Sequence, residues 1–269
     1  MSSVADDSTT LRKGAPGAIG SYAALGDSFT EGVGDPAPDG TFIGWADRLA
    51  ALLGSRSPDG GFRYANLAVR GKLLDQIVED QLPRAVDLAP DLVTFCAGGN
   101  DILRPGSDPD DVAERLEAAV ARLSPEVGTV LLCTGFDTRG TPVLRHLRGK
   151  IATYTAHVRA IADRHQCPVL DLWSLRSVQD RRAWSNDRLH LSPEGHTRVA
   201  LRAAQVLGID VPSDPDEAWP EPAVRPASEV RRENLRWGRE HLVPWIGRRL
   251  RGESSGDHVV AKRPDLLPL

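Results

Sequence analysis

Apolar and polar positions along the chain fall into two alternating rhythms. Short apolar runs at residues 22–25, 63–67, 92–96, 129–133 and 168–172 read as strands, and the β-branched run Leu92-Val93-Thr94-Phe95-Cys96 reads as a strand buried on both faces. Between them lie stretches of helical period. Residues 45–53 end at Gly54, residues 73–86 carry a break signal at Pro83, and residues 110–123 open with acidic residues. Residues 142–165 are apolar at 144, 147, 151, 154, 158 and 161, and the last helix runs from an N-cap at Ser192 with Pro193 at its first position to Gly208. Five strands alternating with helices predict an α/β fold, a three-layer sandwich around a five-stranded parallel sheet with right-handed crossovers.

Outside this core the pattern changes. Residues 1–20 are polar and read as a disordered leader, and residues 21–208 form the α/β domain. Residues 209–269 form a Pro-rich connector and a C-terminal extension. Within that extension, residues 229–251 are basic and amphipathic, with Leu235, Leu242, Ile246 and Leu250 on one face and Pro244 as a break. Leu235, Leu242, Ile246 and Trp245 are expected to pack on the domain, as a flap near the site, in preference to lying on a membrane. Residues 257–269 read as a loose tail.

Composition excludes several classes. The 269-residue chain carries a formal net charge of −4, so nothing global points to nucleic acid. No run approaches the roughly 18 apolar residues of a membrane span, and the first 20 residues lack the apolar core of a secretory signal. The location so read is cytoplasmic. Three cysteines, Cys96, Cys133 and Cys167, do not make a disulfide framework, and no Cys/His pairing has zinc-ligand spacing.

Candidate chemistry gathers at the ends of the strands, where open α/β sheets bind ligands. Gly26-Asp27-Ser28-Phe29 follows the first apolar run, and a serine in such a turn is a nucleophile if a base removes its proton. Taken singly, Gly-Asp-Ser also marks ordinary turns. In Asp187-Arg188-Leu189-His190 the carboxylate stands three positions before the histidine, so it can hold one imidazole nitrogen and leave the other as general base. His196, inside the following helix, is the rival base and reads as a helix-face residue. Gly98-Gly99-Asn100-Asp101 ends the third strand, where the Asn100 amide can meet a developing oxyanion; the Gly71 N–H, at the end of the stretch 66–71, is a second such donor.

At these four positions the sequence resembles the SGNH hydrolases, the GDSL esterase/lipase family. The resembling blocks are Gly26-Asp27-Ser28-Phe29, Asn66-Leu67-Ala68-Val69-Arg70-Gly71, Gly98-Gly99-Asn100-Asp101, and the stretch from Asp187 to His196. They occur in the family order and cover roughly residues 21–208. The resemblance implies a flavodoxin-like fold with Ser28 as nucleophile, His190 as general base and Asp187 orienting it. It implies an oxyanion hole of the Ser28 and Gly71 N–H groups and the Asn100 side chain, with Asp27 holding the turn. Phe29 stands where the family motif has leucine and is expected to pack inward; Lys72 and Leu73 replace small polar residues.

The activity implied is hydrolysis of small or polar carboxylic esters, with no metal or cofactor and a small-molecule ester as the partner. An acyltransferase or a carbohydrate O-deacetylase would use the same residues, and a non-catalytic binding domain is the remote alternative. The acyl and alcohol parts of the substrate, the role of 229–251 and the oligomeric state are not legible here.

Overall fold

Side chains of the first strand point alternately to two faces, and each face has its own core. In the computed structural model, which describes residues 19–57, 60–141, 144–222, 225–244, 247 and 255–269, the first strand is β1 (Ser21–Gly26). Tyr22 and Ala24 pack with Trp45 and Leu49 of α2 (Trp45–Gly54) and with Val199 and Ala203 of α8 (Pro193–Val206). Ala23 and Leu25 face the opposite layer. That layer holds α3 (Leu74–Asp80), α4 (Leu82–Leu88), α6 (Pro109–Leu123) and α7 (Arg148–Arg164). Every residue of β1 is buried, as a strand covered on both sides requires.

The sheet continues with β2 (Arg63–Asn66), β3 (Leu92–Cys96), β4 (Thr129–Cys133), β5 (Val169–Leu170) and β6 (Arg263–Pro268), in the spatial order β5-β4-β3-β1-β2-β6. The first five strands are parallel, as expected; β6 is antiparallel to β2. The five-stranded expectation is therefore corrected to a six-stranded, mostly parallel sheet, and the expected loose tail is its edge strand. Strand order reverses at β1, whose neighbours are β2 and β3. The crevice at the carboxyl ends of β1 and β3 is thus the switch point where ligands bind in open α/β sheets.

Helix boundaries follow local chemistry. Ser192 caps α8 by accepting the Gly195 N–H (3.2 Å), and Pro193 fills the first position, as read from the sequence. The expected helix over 73–86 breaks at Gln81, just before Pro83, into α3 and α4. The expected long helix starts later than 142: a 3₁₀ turn, Arg145–Leu147, precedes α7. Residues 1–18 of the expected leader, and Trp245, Ile246 and Leu250 of the extension, lie outside the described residues. Of the extension's apolar face, Leu235 is corrected: it is 64% exposed in α9 (Ala227–Trp237) and packs on nothing in the core. Among the described residues no helix is long and apolar enough to cross a membrane.

Candidate active site

Gly26 ends β1 where no side chain fits, since a Cβ there would stand 2.7 Å from the Cys96 carbonyl oxygen on β3. Gln81, at the break between α3 and α4, clasps this residue from the side. Its amide accepts from the Gly26 N–H and donates to the Gly26 carbonyl, both at 2.9 Å. The chain then turns into α1 (Ser28–Glu31), with Asp27 as N-cap accepting the Phe29 N–H at 3.1 Å. Ser28 is thereby placed at the first helical position, at the mouth of the crevice.

The second block is tied to α1 by its own side chains. Asn66 donates to the Thr30 carbonyl (3.1 Å) and accepts the Ala68 N–H (3.1 Å). Buried Glu31 accepts the Arg70 N–H at 2.7 Å and pairs with the Arg70 guanidinium, which brings Gly71 beside α1. Beyond β3, α5 (Gly99–Ile102) presents Asn100, whose amide donates to Asp27 Oδ2 (2.9 Å) and to the Lys72 carbonyl (3.1 Å). Among the described residues neither the Ser28 nor the Gly71 N–H has an acceptor within the protein.

The loop 184–191 is closed by a bridge between Trp184 and Leu191 and by the Ser185 N–H donating to the His190 carbonyl (2.8 Å). Inside it, Asp187 Oδ1 accepts from the Leu189 and His190 N–H groups and from the Ser185 hydroxyl, at 2.9, 3.0 and 2.6 Å. Asp187 Oδ2 lies 2.6 Å from His190 Nδ1, and His190 Nε2 lies 3.1 Å from Ser28 Oγ. Burial pushes the Asp187 carboxyl up, but His190, as hydrogen-bond donor and as charge, and the donors at Oδ1 outweigh it and hold it well below its ordinary value. The carboxylate is thus ionised and the imidazole held with its Nε2 toward the serine, a geometry able to move a proton from Oγ to Nε2.

The rival histidine is engaged elsewhere. His196 is fully buried; its Nδ1 accepts the Trp45 N–H (3.2 Å) and its Nε2 donates to the Val33 carbonyl (3.3 Å). Burial lowers its pKa to about 3, so it stays neutral. Burial has the opposite effect on Asp27, raising its carboxyl to about 6 against the pull of the Phe29 N–H.

All five candidate residues, Ser28, Gly71, Asn100, Asp187 and His190, line one cavity of about 980 Å³. Phe29 packs inward against Trp45, but it also lines this cavity and meets Phe136 edge-on at 5.1 Å, with Trp184 edge-on to Phe136 at 5.1 Å. The substitution at this motif position therefore reaches the site. Leu73 lines the cavity too. Sequence reasoning missed Gln81, Glu31, Ser185 and Trp237, whose indole N–H donates to the Asp187 carbonyl at 2.9 Å. None of them belongs to one of the four motif blocks. Among the described residues no group of three or more His, Cys, Asp or Glu side chains is placed to hold a metal ion.

Comparison with known proteins gives the family and the fold. Residues 24–198, well over half of the chain, match the GDSL-like lipase/acylhydrolase family, and the chain belongs to that family. It is accordingly an ester hydrolase by class. Among solved structures it is similar to LAE5, an alpha/beta hydrolase enzyme from the metagenome of Lake Arreo, Spain: 23% identity, TM-score 0.60, 70% of this chain and 95% of that one. It is also similar to Axe2, an acetylxylan esterase from Geobacillus stearothermophilus: 21% identity, TM-score 0.61, 74% of this chain and 98% of that one. No curated protein matches the chain.

Proposed function

We propose that the protein is a serine ester hydrolase that works through an acyl-enzyme. The observation that carries this reading is the continuous line of contacts from Asp187 through His190 to Ser28 Oγ, in a cavity that Gly71 and Asn100 also line. Ser28 Oγ attacks the ester carbonyl as His190 Nε2 takes its proton. The tetrahedral oxyanion is met by the N–H groups of Ser28 and Gly71, which have no acceptor among the described residues, and by the Asn100 amide once it exchanges one of its present acceptors. The imidazolium returns the proton to the leaving alcohol, and a water deprotonated by His190 then releases the acid.

The substrate reading draws on the cavity. Leu103, Leu144, Ile151, Leu172 and Val178 line it beside Phe29 and Phe136, and its volume lies at the upper end of the range for small-molecule sites. That lining suits an acyl group larger than the small esters expected from the sequence. A second reading, removal of acyl groups from a carbohydrate, is favoured by the indoles of Trp184 and Trp237 on the cavity wall, flat faces against which sugar rings stack. Axe2, of similar fold, bears that activity in its name. Acyl transfer would use the same residues with an alcohol in place of water.

Hydrolysis of p-nitrophenyl acetate, butyrate and decanoate, run beside acetate release from acetylated xylooligosaccharides, tests these readings. We expect kcat/KM to rise from acetate to butyrate or beyond. Preference for the acetylated sugar would select the second reading, and no turnover of any ester would overturn both.

A further inference from the structure

The family match ends at residue 198, leaving 199–269 outside it. Contacts from those residues nevertheless fall on three of the four segments that carry the site. Trp237 donates to the Asp187 carbonyl at 2.9 Å, and its ring lies against the Arg188 guanidinium at 4.9 Å. Gly256 packs on the loop before Gly71 so closely that a Cβ there would stand 1.8 Å from the Arg70 carbonyl oxygen. Lys262 Nζ donates to the Glu31 carbonyl at the end of α1 (2.6 Å), to the Phe42 carbonyl (2.8 Å) and to Asp47 (2.6 Å).

Hydrophobic packing does not account for the docking of α9, which contains no buried residue. What joins it to the domain is polar and aimed at the loop 184–191. Besides the Trp237 contacts, Arg188 donates to Asn234 Oδ1 (2.7 Å) and pairs with Glu233 (3.6 Å). Arg188 holds a left-handed backbone, φ 58°, a conformation costly for a side chain with a Cβ and kept only where neighbours over-determine it. This residue stands between Asp187 and His190, and α9 grips it on one side while the Asp187 carboxylate organises the loop on the other.

We infer that α9 and residues 255–269 are a working part of the active site, with Trp237 as the positioning residue that keeps Asp187 and His190 in line with Ser28. The inference rests on the triad reading above. Anchoring the Asp187 peptide fixes the side chain that orients the imidazole, and small displacements of such groups carry large rate costs. Trp237 touches no reacting atom in this account; it acts through Asp187.

The test is the rate at which diisopropyl fluorophosphate labels Ser28 in the full-length protein, followed by mass spectrometry. In that reaction Ser28 Oγ bonds to phosphorus, His190 takes the hydroxyl proton and fluoride leaves. Trp237→Phe keeps an aromatic ring facing Arg188 and removes the N–H. We expect labelling and kcat to fall about five- to tenfold, the worth of one hydrogen bond, with KM and Tm unchanged. Labelling at the wild-type rate overturns the inference. If Trp237→Phe melts below the wild type, Asn234→Ala decides: the residue is exposed, and slowed labelling supports the inference whereas an unchanged rate overturns it. Failure of the wild type itself to be labelled would instead refute the triad reading, so the two failures are distinguishable.

Discussion

Asn100 meets the site with both amide hydrogens directed at protein acceptors, Asp27 Oδ2 and the Lys72 carbonyl. Stabilising an oxyanion means exchanging one of these for the substrate oxygen. The Lys72 carbonyl is the easier to release, because it is neutral and the longer contact, whereas Asp27, with its carboxyl raised to about 6, is mostly ionised at pH 7 and a charged oxygen is the stronger acceptor. Removing this donor with Asn100→Ala should lower kcat by about 10²–10³, with little change in KM, as measured by steady-state hydrolysis. An unchanged kcat would remove Asn100 from the oxyanion role. Most residues at this scale were legible in the sequence because each stands in a short block at a strand end, where chemistry and turn geometry demand the same few residue types. Trp237, Gln81 and Glu31 were not, because their contacts span 50, 55 and 39 positions and leave no local pattern.

The break between α3 and α4 shows how an element boundary serves the site. Pro83 announces it, but the sequence does not reveal that Gln81, 4% exposed at the break, turns in to hold Gly26. Gln81→Ala would leave the Gly26 N–H without an acceptor, while the Gly26 carbonyl keeps the Val69 N–H. We expect a loss of about 2–3 kcal/mol by denaturant titration, from the unmet donor and the lost packing; a cost below about 0.5 kcal/mol would contradict this role. The parallel strands were readable from their apolar runs. β6 was not: Arg263–Pro268 contains two prolines, charged residues and no apolar alternation. Proline is tolerated there because an edge strand need not donate on its open side, and the strand covers the exposed edge of β2. The missed start of α7 has a similar local cause. The Thr141 carbonyl accepts the Leu144 and Arg145 N–H groups, and Asp137 draws in Arg148, the first residue of the helix (2.7 Å).

At the scale of the whole molecule, two buried groups set opposing responses to pH. His196, held neutral with a folded pKa of about 3 against an ordinary 6.5, binds its proton more readily in the unfolded chain. Its contribution is therefore present above about pH 6.5 and is lost as pH falls toward 3. Asp27, raised from 3.8 to about 6, has the opposite sign: it favours the folded state at acid pH and loses that contribution as pH rises through 6. The His196 window is the wider, so acidification from pH 6.5 to 4 should lower Tm on balance. His196→Asn should flatten that dependence when melting is followed by circular dichroism. A Tm profile of the same slope in both proteins would contradict the assignment. The two-layer core was legible as a whole because a parallel sheet buried on both faces writes itself as continuous apolar runs. The path of the chain after Trp219 was not, because α9 docks through polar contacts and the tail through one edge strand.

The central claim is that Ser28 carries out the chemistry. The most direct measurement is hydrolysis of the best p-nitrophenyl ester by wild type and by Ser28→Ala, with the fold of each checked by circular dichroism. The account predicts turnover by the wild type and a loss of at least about 10³-fold in the folded variant. Comparable turnover by folded Ser28→Ala would contradict it.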